Sequence, residues 1–188
     1  IFEMDEYGDC LSGNSFAFLF PIIQAALTGP RNVPGCDAAL AVLERHCTML
    51  SGDEVDAAVK QLRKDMAGTV LELLSHDRSQ TFVNPSAYEA LTSCYTTDDA
   101  SPGLSAPEIA PLLGDRGALG GENNRVAAMT TLAAIARDQP KLVKSNPLIE
   151  NRIWLNCFAK ADRIKVAARK AWLVANGQDA DADVSNTP

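Results

Sequence analysis

Val126-Ala127-Ala128-Met129-Thr130-Thr131-Leu132 and Ile164-Lys165-Val166-Ala167-Ala168-Arg169-Lys170-Ala171-Trp172 repeat one phrase: a β-branched residue, then small residues, then Ala or Leu. A third copy, Val83-Asn84-Pro85-Ser86-Ala87-Tyr88-Glu89-Ala90-Leu91, precedes them. The anchors Val83, Val126 and Ile164 stand 43 and 38 residues apart, inside the period of two-helix HEAT-type units. One such unit is too small to bury its own apolar face, so neighbours stack. The pattern predicts an all-α protein, an α-solenoid (α-α superhelix) of HEAT-type antiparallel helix pairs. Arrays of this armadillo-like kind present surfaces to partners and seldom build catalytic pockets.

Composition agrees with that reading. At 188 residues and 46% apolar content the chain can build a continuous core. Aromatics make up only 6%, which suits close helix-on-helix packing better than a β-sandwich. The longest apolar run, Phe16 to Ile23, is interrupted by Pro21 and falls well short of the roughly 20 residues that cross a bilayer. The chain begins at Ile1, shows no secretory leader pattern, and is read as a piece of a longer protein. Its cysteines (Cys10, Cys36, Cys47, Cys94 and Cys157) are far apart and odd in number, unlike a disulfide framework or a close-paired metal site. Cys47, Cys94 and Cys157 each sit within apolar helical patterns and read as small buried apolar residues, and reduced thiols point to the cytosol.

Charge is unevenly spread. The chain has a net charge of −7, yet between Gln139 and Asn176 eight Lys and Arg face only Glu150 and Asp162, a local net of +6. Such asymmetry bears on partners rather than on fold.

Along the chain, the spacing predicts a helix through Phe16, Leu19, Phe20, Ile23 and Leu27, strained by Pro21. A second follows Asp37. An apolar stripe from Val55 to Leu73 predicts one or two helices, with a break near Asp65 to Gly68. A helix around Ala87 to Tyr95 follows, opened by Asn84-Pro85. Ser105-x-x-Glu108 has the form of a capping box for a short helix through Ile109, Leu112 and Leu113. Gly114 to Gly121 reads as a loose Gly-rich loop, after which Asn123 or Asn124 caps a helix carrying Val126, Met129, Leu132 and Ile135. Asn146-Pro147 opens another, and the last helix stops at Asn176-Gly177. The sum is about eight helices in four pairs over residues 1–177, then an acidic disordered tail over 178–188. The expected core is Phe16, Leu19, Ile23, Leu43, Val70, Leu73, Leu91, Val126, Leu132, Ile153, Trp154, Phe158, Ile164 and Trp172. If fully buried, Phe158→Ala or Trp172→Ala costs roughly 3–5 kcal/mol.

Chemistry-bearing patterns are few. His46 and Cys47 are helix neighbours that point about 100° apart and form no nucleophile pair. His76-Asp77 reads as a turn. Gly117-Ala118-Leu119-Gly120-Gly121 lacks the spacing and the Gly-Lys-Ser/Thr ending of a phosphate loop. Asp53-Glu54-x-Asp56 lacks the spacing of a calcium loop and suits a first helical turn. No catalytic residue, metal, cofactor or small-molecule substrate is expected. The remaining candidates are cations: Lys165 and Arg169 one turn apart, with Lys160, Arg163 and Lys170 nearby. They could contact RNA phosphates. The alternative is a solvated helix face, favoured because no aromatic residues interleave with the cations.

Ser15-Phe16-Ala17-Phe18-Leu19-Phe20-Pro21-Ile22-Ile23, Ile153-Trp154-Leu155-x-x-Phe158 and Ile164-Lys165-x-x-Ala168-x-x-x-Trp172 resemble the central HEAT-repeat region of the general-control translational activator family. The similarity covers most of residues 14–177, with gapped matching over 29–65 and 96–121; Ala127 departs from the basic residue HEAT units often carry after the anchor. The resemblance implies a cytoplasmic, ribosome-associated, non-enzymatic scaffold in the amino-acid-starvation and stress response. Its partners, through the full-length protein, would be the ribosome and the starvation-sensing kinase of translation initiation factor two alpha. Ribosomal RNA is a possible contact; a membrane is not. The kinase-binding segment of that family lies further toward the carboxyl end, so no kinase-binding residue carries over. The alternative is a cytoplasmic protein–protein adaptor with no ribosomal role.

Overall fold

The computed structural model describes residues 20–25, 41, 57–75, 88, 91–92, 103–114 and 117–180. Among them the secondary structure is helical, with no strand. Residues 20–25, 41, 88, 91 and 92 are helical. They are followed by α1 (Ala57–Ser75), a 3-10 turn (Ala110–Leu113), α2 (Glu122–Asp138), α3 (Pro140–Lys144), α4 (Pro147–Cys157) and α5 (Asp162–Ala175). The expectations at Phe16, Leu19, Asp37, Leu43, Val83, Asn84 and the tail beyond residue 180 lie outside the described residues, as do those at Cys10, Cys36, His46, Cys47, Asp53, Glu54, Asp56, His76 and Cys94.

One apolar cluster runs through the described helices, from Phe20 and Ile23 through Val70, Leu91, Leu132 and Ile153 to Ala175. Its densest part is the packing of α2 on α5, with α4 laid against α5. The reason is visible in the residues. Ile164, Ala168, Ala171 and Ala175 recur at three- and four-residue spacing and are all buried, opposite the buried Ala128, Leu132, Ile135 and Ala136 of α2. Small side chains let the two backbones approach closely, and the bulky ones fill the remaining holes. The two repeat phrases thus sit on helices that pack directly against each other.

Polar ties join the elements. The Thr131 hydroxyl donates to the Ala127 carbonyl, so the Thr92 hydroxyl, 2.9 Å away, donates to Thr131 and fastens residues 91–92 to α2. Gln24 Nε2 donates to the Thr69 hydroxyl at 3.3 Å, and Thr69 donates to the Asp65 carbonyl. These bonds fix residues 20–25 against α1.

Two helix ends follow their expected chemistry. The Asn146 side chain accepts from Leu148 N–H at 3.0 Å, with Pro147 at the first helical position of α4. Gly177, at φ +75°, ends α5, with its N–H on the Val174 carbonyl and the Gln178 N–H on that of Leu173. The capping box expected at Ser105-x-x-Glu108 forms only in part: the 3-10 turn begins later, with Ile109 before it and no side-chain cap. The Glu108 carboxylate accepts from both the N–H and the hydroxyl of Ser105, at 2.7 and 2.6 Å, so the hydroxyl caps no N–H. These bonds, with a smaller effect of Lys64, hold the Glu108 carboxyl below its ordinary pKa.

Other expectations are corrected. α1 runs unbroken through Asp65 and Gly68, because Asp65 accepts from Gln61 one turn earlier and Gly68 needs only helical dihedrals. Neither Asn123 nor Asn124 caps α2; Gly121 occupies that position and Asn123 accepts from Arg163 instead. α3 was unforeseen: Pro140 starts it after the turn at Gln139. The Gly-rich segment is tightly bonded, with Ala118 N–H on the Leu112 carbonyl at 2.9 Å. A Cβ at Gly117 would lie 1.9 Å from that same oxygen, so only glycine fits there.

The core list needs the largest revision. Ile23, Val70, Leu91, Leu132, Ile153 and Ile164 are buried as expected, whereas Val126 and Trp172 are half-buried. Trp154 and Phe158 are 40% and 60% exposed. The buried stripe of α4 is Ile149, Ile153, Asn156 and Cys157. Trp154 and Phe158 each follow one residue later, about 100° around the helix, and so face outward.

Candidate nucleic-acid interface

α5 divides its cations between two flanks. Lys165 and Arg169 are half-buried on one side, with Trp172 one turn further along. At about 100° per residue these three fall within an arc of roughly 60°. Arg163 and Lys170 lie on the other flank, roughly 100–160° away. Arg163 is directed toward the start of α2, with Glu122 at 3.8 Å and Asn123 at 3.4 Å. Lys160 is exposed in the link between α4 and α5. The five cations therefore do not form one stripe.

The flank bearing Lys165 and Arg169 meets the aromatic edge of α4. Trp154 lies between Phe158 and Trp172, with ring centroids 5.2 Å apart on each side and ring planes inclined by 61° and 58°. Edge-to-face packing of this kind is favourable between rings and leaves Trp154 and Phe158 open to solvent. Sequence reading found no aromatic residue among the cations, because two of the three rings come from a different helix. The Lys165, Arg169, Trp172 spacing on α5 was the available signal.

Electrostatics on this face are simple. Lys165 Nζ is 2.9 Å from Asp162 Oδ1, and that hydrogen bond and charge hold the Asp162 carboxyl below its usual range. Glu150 is exposed one turn before Trp154. Beneath the surface, burial pushes the Cys157 thiol up to about 11, against the opposing charge of Arg169. The thiol is therefore protonated and unreactive at neutral pH.

A buried polar node holds α4 in place. Asn156 donates to the carbonyls of Ala118 and Arg152 at 2.9 and 2.8 Å and accepts from Arg125 Nε at 2.7 Å. The side chain is 1% exposed and spans α4, the Gly-rich turn and the first turns of α2. Sequence reading missed it, since a lone Asn inside a helix gives no sign of long-range bonding.

No family model, curated protein or solved structure matches this chain. Among the described residues no group of three or more His, Cys, Asp or Glu could hold a metal ion, and no helix is long and apolar enough to cross a membrane. Charge and aromatic groups converge at the outer edge of α4 and α5.

Proposed function

We propose that this chain is a non-catalytic HEAT-type scaffold segment of a ribosome-associated, cytoplasmic activator of the starvation-sensing kinase acting on translation initiation factor two alpha. The scaffold part is supported by the direct packing of α2 on α5, the helices carrying the repeat phrases anchored at Val126 and Ile164. Stacking of equivalent helices from successive units is how such arrays build a core. The ribosomal part rests on the family resemblance. The local net charge of +6 over Gln139 to Asn176, in a chain of net charge −7, is compatible with it. Co-sedimentation with cytoplasmic ribosomes at low and moderate salt tests this reading. The chain is expected in the ribosomal pellet, more at low salt; a chain that stays in the supernatant at both salts contradicts it.

A second reading has its own observation. The exposed Trp154 and Phe158, with Trp172 and Arg169 beside them, match the side chains that dominate protein–protein hot spots. That composition favours a protein–protein adaptor with no ribosomal role. Capture of a folded protein partner by the chain in ribosome-free extract, lost on Phe158→Ala, would support it.

A further inference from the structure

We infer that the outer edge of α4 and α5 binds single-stranded RNA, with Phe158 and Trp154 as stacking platforms and Lys160, Lys165 and Arg169 as phosphate contacts. The inference deepens the ribosomal reading above and rests on it for the choice of RNA as ligand, but its geometry comes from the α4–α5 edge alone.

Three observations converge. First, the exposed Trp154 and Phe158 and the half-buried Trp172 form a continuous group, with Trp154 5.2 Å from both other rings. Rings left open to solvent at 40% and 60% offer faces to unpaired bases, and stacking accepts any base because every base has a π-face. Second, Lys165 and Arg169 share the helix flank of Trp172, and Lys160 follows Phe158 in the connecting link. Cations are thus placed beside the rings, as a strand with alternating bases and phosphates requires. Third, the segment Gln139 to Asn176 that supplies this edge carries a local net charge of +6 in a chain whose net charge is −7, a composition that favours a polyanionic ligand.

Single strands are favoured over duplexes because paired bases are stacked within the helix and out of reach of these rings. The rings span a few bases, so affinity is modest. With about three phosphates neutralised, log K falls with log salt at a slope near −2. Asp162 opposes binding, since it holds Lys165 at 2.9 Å and a phosphate must displace it.

The test is fluorescence anisotropy of the 188-residue chain with a labelled, unpaired 12-nucleotide RNA, compared with the same strand annealed to its complement. Poly-glutamate serves as competitor. Folding of every variant is checked by its circular-dichroism melt. The expected results are preference for the single strand and about fivefold or greater weakening by Phe158→Ala. Lys165→Glu/Arg169→Glu weakens binding about tenfold or more, and Arg163→Glu/Lys170→Glu, an equal charge change on the other flank, does so by much less. Equal binding of duplex, equal loss from both double reversals, or no effect of Phe158→Ala overturns the inference. Displacement of RNA by poly-glutamate at equal charge concentration also overturns it, in favour of an acidic protein segment. Ribosome co-sedimentation that survives Phe158→Ala and Lys165→Glu/Arg169→Glu, while RNA binding fails, overturns this inference and leaves the ribosomal reading standing.

Discussion

α5 has two faces of opposite character on one helix. Its inner face, Ile164 with Ala168, Ala171 and Ala175, is buried, and the three alanines belong to the core that α5 shares with α2. Its outer face carries Lys165, Val166, Arg169 and Lys170, with Val166 exposed and the two lysines and the arginine at or near the surface. The inner face is constrained by packing volume, where one added methylene is felt. The outer face is less constrained: the adjoining Trp154 and Phe158 stay 40% and 60% exposed, and Lys165 pairs with Asp162 at the surface. The same division runs through α4, between the buried Ile153 and its exposed neighbour Trp154.

Stability measurements can break this comparison. The largest effect is expected at Ile153, fully buried in α4: Ile153→Ala should lose about 2–5 kcal/mol in reversible denaturant unfolding. A loss below about 1 kcal/mol would show that the inner face of α4 is not packed as described.

Next comes Asn156→Ala. It leaves the Ala118 carbonyl without its Asn156 donor and Arg125 Nε without its acceptor. The expected cost is about 1–3 kcal/mol by the same measurement, and hydrogen exchange in the Gly-rich turn should accelerate. An unchanged exchange rate there would mean that Asn156 does not anchor that turn.

Phe158→Ala is expected to cost below about 1 kcal/mol, because most of the ring stays in water in the folded state. Full burial of the ring would instead require roughly 3–5 kcal/mol. A loss of that size would return Phe158 to the core and remove the outer face as a binding surface.

The smallest effect is at Glu108. Its carboxyl pKa is lowered in the folded chain, so its contribution is present above the ordinary value of 4.5 and lost as pH falls through the depressed value. The Glu108 side chain is 41% exposed, so solvent screens these bonds and Glu108→Ala should cost no more than about 1 kcal/mol at neutral pH. The gap from wild type should narrow as pH falls below 4.5. A gap that widens in acid would contradict the Ser105–Glu108 bonds as its source.

Much of the helical order was legible because local rules decide it. Asn146-Pro147 and Gly177 act within a few residues, and each does in the structure what its chemistry predicts, whereas Ser105 and Glu108 bond to each other without capping the 3-10 turn. The buried phase of α5 was equally readable from Ile164, Ala168 and Ala171. Asp65 to Gly68 misled because a glycine beside a polar residue resembles a break, while packing of Met66, Ala67 and Val70 carries α1 through it. Trp154 and Phe158 misled for a different reason. Ile153, Trp154, Cys157 and Phe158 span an arc wider than one neighbour covers, and hydropathy does not say which half α5 will cover.

The candidate surface was half legible. All five cations were visible as a charge excess, but their separation into two flanks follows from helix phase. The aromatic edge beside Lys165 and Arg169 arises from the packing of α4 on α5, a contact no local pattern records.

The most direct measurement is salt-dependent co-sedimentation of the chain with cytoplasmic ribosomes, comparing Lys165→Glu/Arg169→Glu with Arg163→Glu/Lys170→Glu. If the outer edge of α4 and α5 is the working surface of a ribosome-associated scaffold, the first variant leaves the pellet at moderate salt and the second remains in it. Equal behaviour of the two variants, or a wild-type chain that never pellets, would contradict that claim.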